Sequence, residues 1–314
     1  MNPVKRLDLR GWGPLIVLVA LTMLIASVQP AFVQLQSIQN MTLQAAPIIV
    51  IALGLTPTIL IGGLDLSVAS LASLATVLMA LTIPQLGPAG LILVVGMCAV
   101  AGGLVGFIQA VAQVPSFIVS LGALGFYAGV ALVVSNATTI SMGAGQSTLE
   151  WLGGGILGLP VSFVLAVFLL VGSAIVVANT VVGRRIYAIG ASEPAAIVSG
   201  ISPVAIRVIC FSFSGFCAAI GGAFLLARTS YASPTLADLY LLPALAAVLL
   251  GGTALSGGVG SIWRTLVGSL VVVVVQTGLV VVGVDPRVSN LVFGALIIAT
   301  VAATTDRKHV LVVK

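Results

Sequence analysis

Ten apolar runs, most of them close to the length a bilayer core demands, leave this 314-residue chain few choices of fold. They fall near residues 13–28, 45–61, 66–83, 91–112, 117–134, 161–178, 208–227, 241–255, 262–282 and 291–303. A helix needs about 20 apolar residues to cross the hydrocarbon. Backbone polar groups in lipid are satisfied only within helices or closed barrels. Barrel strands alternate apolar and polar residues, and these runs do not. Charged residues make up 6% of the chain, too few to build the water-facing shell of a soluble domain. The expectation is an all-α integral membrane protein of about ten transmembrane helices, forming one domain over residues 1–314.

Loop charge sets the orientation. With the N-terminus in the cytoplasm, Lys5, Arg6, Arg10, Arg184, Arg185, Arg207, Arg264, Arg307, Lys308 and Lys314 fall at inner ends, and only Arg228 and Arg287 fall outside. The positive-inside bias selects this arrangement, and an even number of spans returns the C-terminus to the cytoplasm. The net charge of +5 therefore reads as membrane orientation and not as a nucleic-acid surface. Lys5 and Arg6 before the first apolar stretch also resemble a signal peptide. With nine spans behind it, a retained first helix is expected.

Several chemistries find no residues to carry them. Cys98, Cys210 and Cys217 lie inside apolar runs and read as small buried hydrophobes. His309, in the tail, is the only histidine. No metal site and no cofactor are expected. The chain has no GxxxxGK[ST] phosphate loop and no visible nucleophile–base pair. An intramembrane enzyme is thus disfavoured, and any ATP hydrolysis belongs to a separate subunit.

The longest inner connection, over about residues 181–206, carries its own short helix. Ser192 is placed as an N-cap, Glu193 suits the positive helix end, and Pro194 is tolerated in a first turn. Gly200 can end the helix in a left-handed conformation. Ser202 and Pro203 then start the next span. Ile197 and Ile201 on such a helix fit either docking into a partner's groove or lying passively on the membrane. Tyr187, beside Arg184 and Arg185, is expected to anchor the membrane interface.

Polar residues within the spans are few. Asp65 sits in a break between two apolar runs, where a carboxylate is costly and often functional. It fits the capping of the third span, and it also fits solute contact or proton coupling. Gln109 and Gln113 share a helix face, as do Ser116 and Ser120. Gln276 interrupts the valine run of span nine. Each fits a translocation path or a helix-to-helix hydrogen bond. Gly102, Gly103 and Gly106 form a small-residue stripe in span four, read as helix packing. The glycine–serine segments after spans two and eight echo one another, by an internal repeat or by chance.

Four segments carry a resemblance: GGLDLSV at 62–68, PSFIVSLG at 115–122, GRRIYAIGASEPAAIVSGI at 183–201 and GGTALSGGVGS at 251–261. Together, and in this order, they resemble the ribose-type (monosaccharide) ABC transporter permeases over about residues 45–305. The resemblance implies a permease subunit of a binding-protein-dependent importer in the bacterial inner membrane. It implies partners: ATP-binding cassette ATPase subunits, a periplasmic solute-binding protein, and a second permease, identical or related. It implies coupling to the ATPase through Arg184, Arg185, Ser192, Glu193, Ala195, Ala196, Ile197, Gly200 and Ile201. A translocation path through Asp65, Ser67, Gln109, Gln113, Ser116, Ser120, Thr253, Ser256 and Gln276 is expected. The chain departs from the family pattern in having Ala191-Ser192 where Gly-Asn is usual, Pro194 for a common acidic residue, and Ala237-Asp238 where an acidic pair often stands. These departures leave the cargo open between a monosaccharide, another polar solute, an amino acid and a signalling molecule. An ion-coupled secondary transporter is the rival class, and Asp65 is its only good coupling group.

Overall fold

A computed structural model describes residues 9–281, 283–285 and 288–304. Lys5, Arg6, Arg287, Arg307, Lys308, His309 and Lys314 lie outside the described residues. The chain is mostly helical. It opens with α1 (Leu9–Val28), α2 (Leu35–Leu60), α3 (Val68–Leu86), α4 (Pro88–Ala112) and α5 (Ser116–Val134). An irregular stretch holds the one-turn α6 (Ser147–Glu150) and leads to α7 (Val161–Asn179). Two short helices follow, α8 (Val181–Ala191) and α9 (Glu193–Val198), and then α10 (Pro203–Thr229), α11 (Leu241–Leu250), α12 (Ile262–Val281) and α13 (Ser289–Thr304).

Among the described residues, seven helices are long and apolar enough to cross a membrane: α2, α3, α4, α5, α7, α10 and α12. Three shorter apolar helices, Gly13–Val28, Asp238–Leu250 and Asn290–Thr300, account for the other apolar runs. Large apolar side chains such as Phe126, Val133, Phe168 and Ile298 are left uncovered, as a chain whose solvent is lipid allows.

At the centre stands α2, buried almost without interruption from Ala45 to Leu60 and packed against α10, α12, α11 and α7. It begins ten residues before its apolar run, because Gln36, Gln39, Asn40 and Gln44 dilute the hydropathy of a helical stretch. The tightest crossing is that of α10 on α4. A Cβ on Gly102 would run into the Phe211 carbonyl, and one on Gly215 would run into the Cys98 carbonyl. Without a hydrophobic drive between helices in lipid, close backbone approach of this kind supplies the packing. The stripe at Gly102, Gly103 and Gly106 thus lies on α10.

The all-helical expectation needs one amendment. Outside the helices, β1 (Ile140–Ser141) pairs antiparallel with β4 (Tyr231–Ala232), and β2 (Gly155–Ile156) pairs antiparallel with β3 (Leu159–Pro160). The first of these ladders ties the α5–α7 connection to the end of α10. A second difference concerns span eight. The helix stops at Leu250, and Gly252, Gly257 and Gly258, all at positive φ, turn the chain back towards α12.

Candidate functional site

The α2–α3 break is held by hydrogen bonds to distant serines. Asp65 is buried, and its Oδ1 accepts from the Ser67 amide at 2.9 Å and the Ser67 hydroxyl at 2.6 Å. Its Oδ2 accepts from the Ser214 hydroxyl of α10 at 2.7 Å. Both carboxylate oxygens are therefore engaged, one at the entrance to α3 and one across to α10. The preceding peptide is gripped as well. The Leu64 amide donates to Ser116 Oγ at 2.9 Å, and Ser120 Oγ donates to the Leu64 carbonyl at 3.0 Å. Ser116 and Ser120, one turn apart on α5, thus fix the break with their shared face.

The second glycine-rich segment packs on the first. The Gly258 amide donates to the Leu60 carbonyl at 2.9 Å. Gly190 of α8 sits so close to Leu60 and Gly258 that a Cβ there would meet backbone on both sides. Tyr187 donates its hydroxyl to the Gly260 carbonyl at 3.1 Å. Burial pushes the Tyr187 phenol up, against the opposing effect of Arg264, so it is a protonated donor at neutral pH. Tyr187, expected at the membrane interface, thus spends its hydroxyl on the glycine-rich segment. Thr253 is buried with no partner for its Oγ1 among the described residues, whereas Ser256 is exposed.

A cavity of about 880 Å³ opens beside this assembly. The α2–α3 break forms one wall, and Gln109, Gln113 and Ser116 at the α4–α5 turn form another. Glu193 and Ile197 of α9, with Arg207 of α10, close it. Gln109 is buried, and its Nε2 has no partner among the described residues. Gln113 takes a left-handed conformation at φ 54° as α4 ends. These two side chains offer hydrogen bonds to whatever occupies the cavity.

The proposed path residues do not all meet. Asp65, Ser67, Ser116 and Ser120 form the clamp, and Gln109 and Gln113 line the cavity with Ser116. Gln276 lies at the other end of α2, in a cavity of about 250 Å³ with Gln44, Arg228 and Tyr240. Sequence reasoning missed Ser214, Gln44 and Tyr240. Ser214 stands on a helix otherwise read as apolar, and only the fold brings it to Asp65.

The connection over 181–206 is two helices where one short helix is expected. α8 starts at the cap Thr180, whose Oγ1 accepts from the Gly183 amide at 3.4 Å. α9 is built as its residues dictate: Ser192 Oγ accepts from the Ala195 amide at 3.5 Å, and Gly200 closes it at φ 78°. Ser202 Oγ accepts from the Ala205 amide at 3.4 Å, with Pro203 opening α10. Ala196 is buried beneath α9, while Ile197 and Val198 are exposed. Ile201 is half-buried against the core, so the apolar face α9 presents is Ile197 with Val198 and not Ile197 with Ile201. Arg184 and Arg185 are exposed on α8, as are Ser192 and Ala195 at the start of α9.

Comparison with known proteins identifies the family. The family described as "branched-chain amino acid transport system / permease component" matches residues 37–301. A ribose import permease of Bacillus subtilis is 34% identical over 299 residues, covering 94% of this chain and 92% of the relative. The chain belongs to the ribose-type ABC permease family. A probable ABC transporter permease of Escherichia coli, YphD, is 33% identical over 92% of the permease and 88% of its own length. The D-allose transport system permease AlsC of Escherichia coli is 27% identical over 93% and 90%. No solved structure matches. The permease is thus a transport subunit of the membrane and not an enzyme; ATP hydrolysis in such a system is the work of a separate subunit.

Proposed function

We propose that the permease is the membrane-spanning subunit of an importer that carries a monosaccharide or similar small polar solute across the bacterial inner membrane. The observation that carries this reading is the cavity walled by α9 on one side and by Gln109, Gln113 and the α2–α3 break on the other. A docking element and a mainly apolar chamber that Gln109, Gln113 and Ser116 make polar on one side share one wall, so displacement of the first reshapes the second. Ten spans in one domain over residues 1–314, with both termini in the cytoplasm, would place α8 and α9 against the ATPase subunits. The Gln44–Arg228–Tyr240–Gln276 cavity would then face the periplasmic binding protein and a second permease, identical or related. Hydrogen-bonding amides and hydroxyls in weak, replaceable arrangements suit a hydroxylated solute that must also leave.

Arg184, Arg185, Ser192, Glu193, Ala195, Ala196, Ile197, Gly200 and Ile201 are proposed to form or shape the ATPase-facing elements. Asp65, Ser67, Ser116 and Ser120 are proposed to hold the path's shape, and Gln109 and Gln113 to touch solute. Thr253 and Ser256 line the glycine-rich turn beside it. One observation favours a second cargo, an amino acid: the description of the matching family. Purification from mild detergent followed by mass spectrometry tests the reading. A stoichiometric ATPase is expected, and the binding protein encoded with it would identify the cargo by ligand screening. A permease that purifies alone and transports on an ion gradient would overturn it.

A further inference from the structure

Among the described residues one ion pair is found, Arg207 Nη2 to Glu193 Oε2 at 2.6 Å. The side chains are 24% and 37% exposed. Water screens such a pair, and stability is a poor reason for it. Its place in the fold offers a better one. Glu193 is the first residue of α9, and Arg207 lies one turn into α10. The link between the two helices is residues 199–202, with Gly200 at positive φ, the kind of short joint at which two helices pivot. The ion pair spans that joint and closes α9, link and α10 into a bracket.

Beyond the bracket, α10 is packed along its length on α2, α3 and α4. Its backbone touches that of α4 at Gly102 and Gly215. Its Ser214 holds Asp65, and through it the α2–α3 break. On the open side of the bracket lies the 880 Å³ cavity, with Glu193, Ile197 and Arg207 on its near wall and Gln109 and Gln113 opposite. A load applied to α9 alone would spend itself at the joint. With the joint braced, the same load reaches α10.

We infer that Glu193 and Arg207 are positioning residues for energy coupling, bracing α9 against α10 so that a displacement of α9 is passed to α10 and, through Ser214, to the Asp65 clamp. The inference rests on the ABC permease reading. It assigns Glu193 to the permease's own interior mechanics and not to contact with the ATPase.

The test uses the permease purified with its ATPase and reconstituted with the binding protein, and the readout is solute transported per ATP hydrolysed. Glu193→Gln and Arg207→Gln should each lower that ratio on the order of fivefold or more, the scale of a typical coupling energy, while the ATPase still co-purifies. The double variant Glu193→Arg with Arg207→Glu should recover most of it, a rescue that loss of fold would not allow. A short thiol-reactive bridge between Glu193→Cys and Arg207→Cys should leave transport intact. Single variants with an unchanged ratio would overturn the brace and leave the ABC reading standing. A bridged permease that stops transporting would overturn it too, since α9 must then pivot on α10. If the charge variants fail to assemble, the bridge decides. If no ATPase accompanies the wild-type chain, the ABC reading fails and the brace with it.

Discussion

At the scale of single residues, the α2–α3 break depends on a buried carboxyl group, Asp65, that accepts three hydrogen bonds inside the protein. A buried carboxyl is costly unless its oxygens find donors, and Asp65 has Ser67 and Ser214 for that purpose. Ser214→Ala removes the donor to Oδ2 and leaves a buried acceptor short, at a cost of about 1–3 kcal/mol. The measurement is the melting temperature of the purified permease, which is expected to fall; an unchanged value would show that Ser214 does not hold the clamp. This arrangement was only half legible in the sequence. Glycines and an aspartate between two apolar runs announce a break, because they are costly inside a span. Which serines close the break is invisible, since Ser214 lies 149 residues away and Ser120 lies 56 from the Leu64 carbonyl.

At the scale of elements, what is written locally is what could be read. α9 emerges where Ser192, Glu193, Pro194 and Gly200 place it, because caps act within a few residues. α8 could not be read as a helix in the same way. Gly183 and Gly190 count against a helix by propensity, yet both are needed where α8 lies on Val177, Leu60 and Gly258. The start of α2 was hidden for the opposite reason: its glutamines look like a loop to hydropathy but continue the helix. The crossing of α4 and α10 gives a direct prediction. Gly215→Val would drive its Cβ into the Cys98 carbonyl, and overpacking typically costs about 1–3 kcal/mol or more. A sharp drop in folded yield is expected, read by size-exclusion profile in detergent. A normal profile would mean that the two helices are not in backbone contact.

At the scale of the whole molecule, the two cavities lie at opposite ends of the buried helix α2, and loop charge follows the same axis. Arg184, Arg185, Arg207 and Arg264 share the end with α8 and α9, while Arg228 sits at the other. The orientation inferred from charge makes the first end cytoplasmic. The three native cysteines are buried, so an impermeant thiol reagent reports cleanly on introduced ones. Ser199→Cys should react only in inverted vesicles and Thr235→Cys only from the outer face; the reverse pattern would turn the molecule over and place α9 out of reach of any cytoplasmic ATPase.

On the proposed function, force applied at α9 by a separate ATPase moves solute through this chain. The most direct measurement is uptake into proteoliposomes holding the permease with its co-purified ATPase and binding protein, with and without ATP, at zero ion gradient. Uptake that requires ATP and survives an uncoupler is expected. Uptake that ignores ATP and disappears when the ion gradient is dissipated would contradict it.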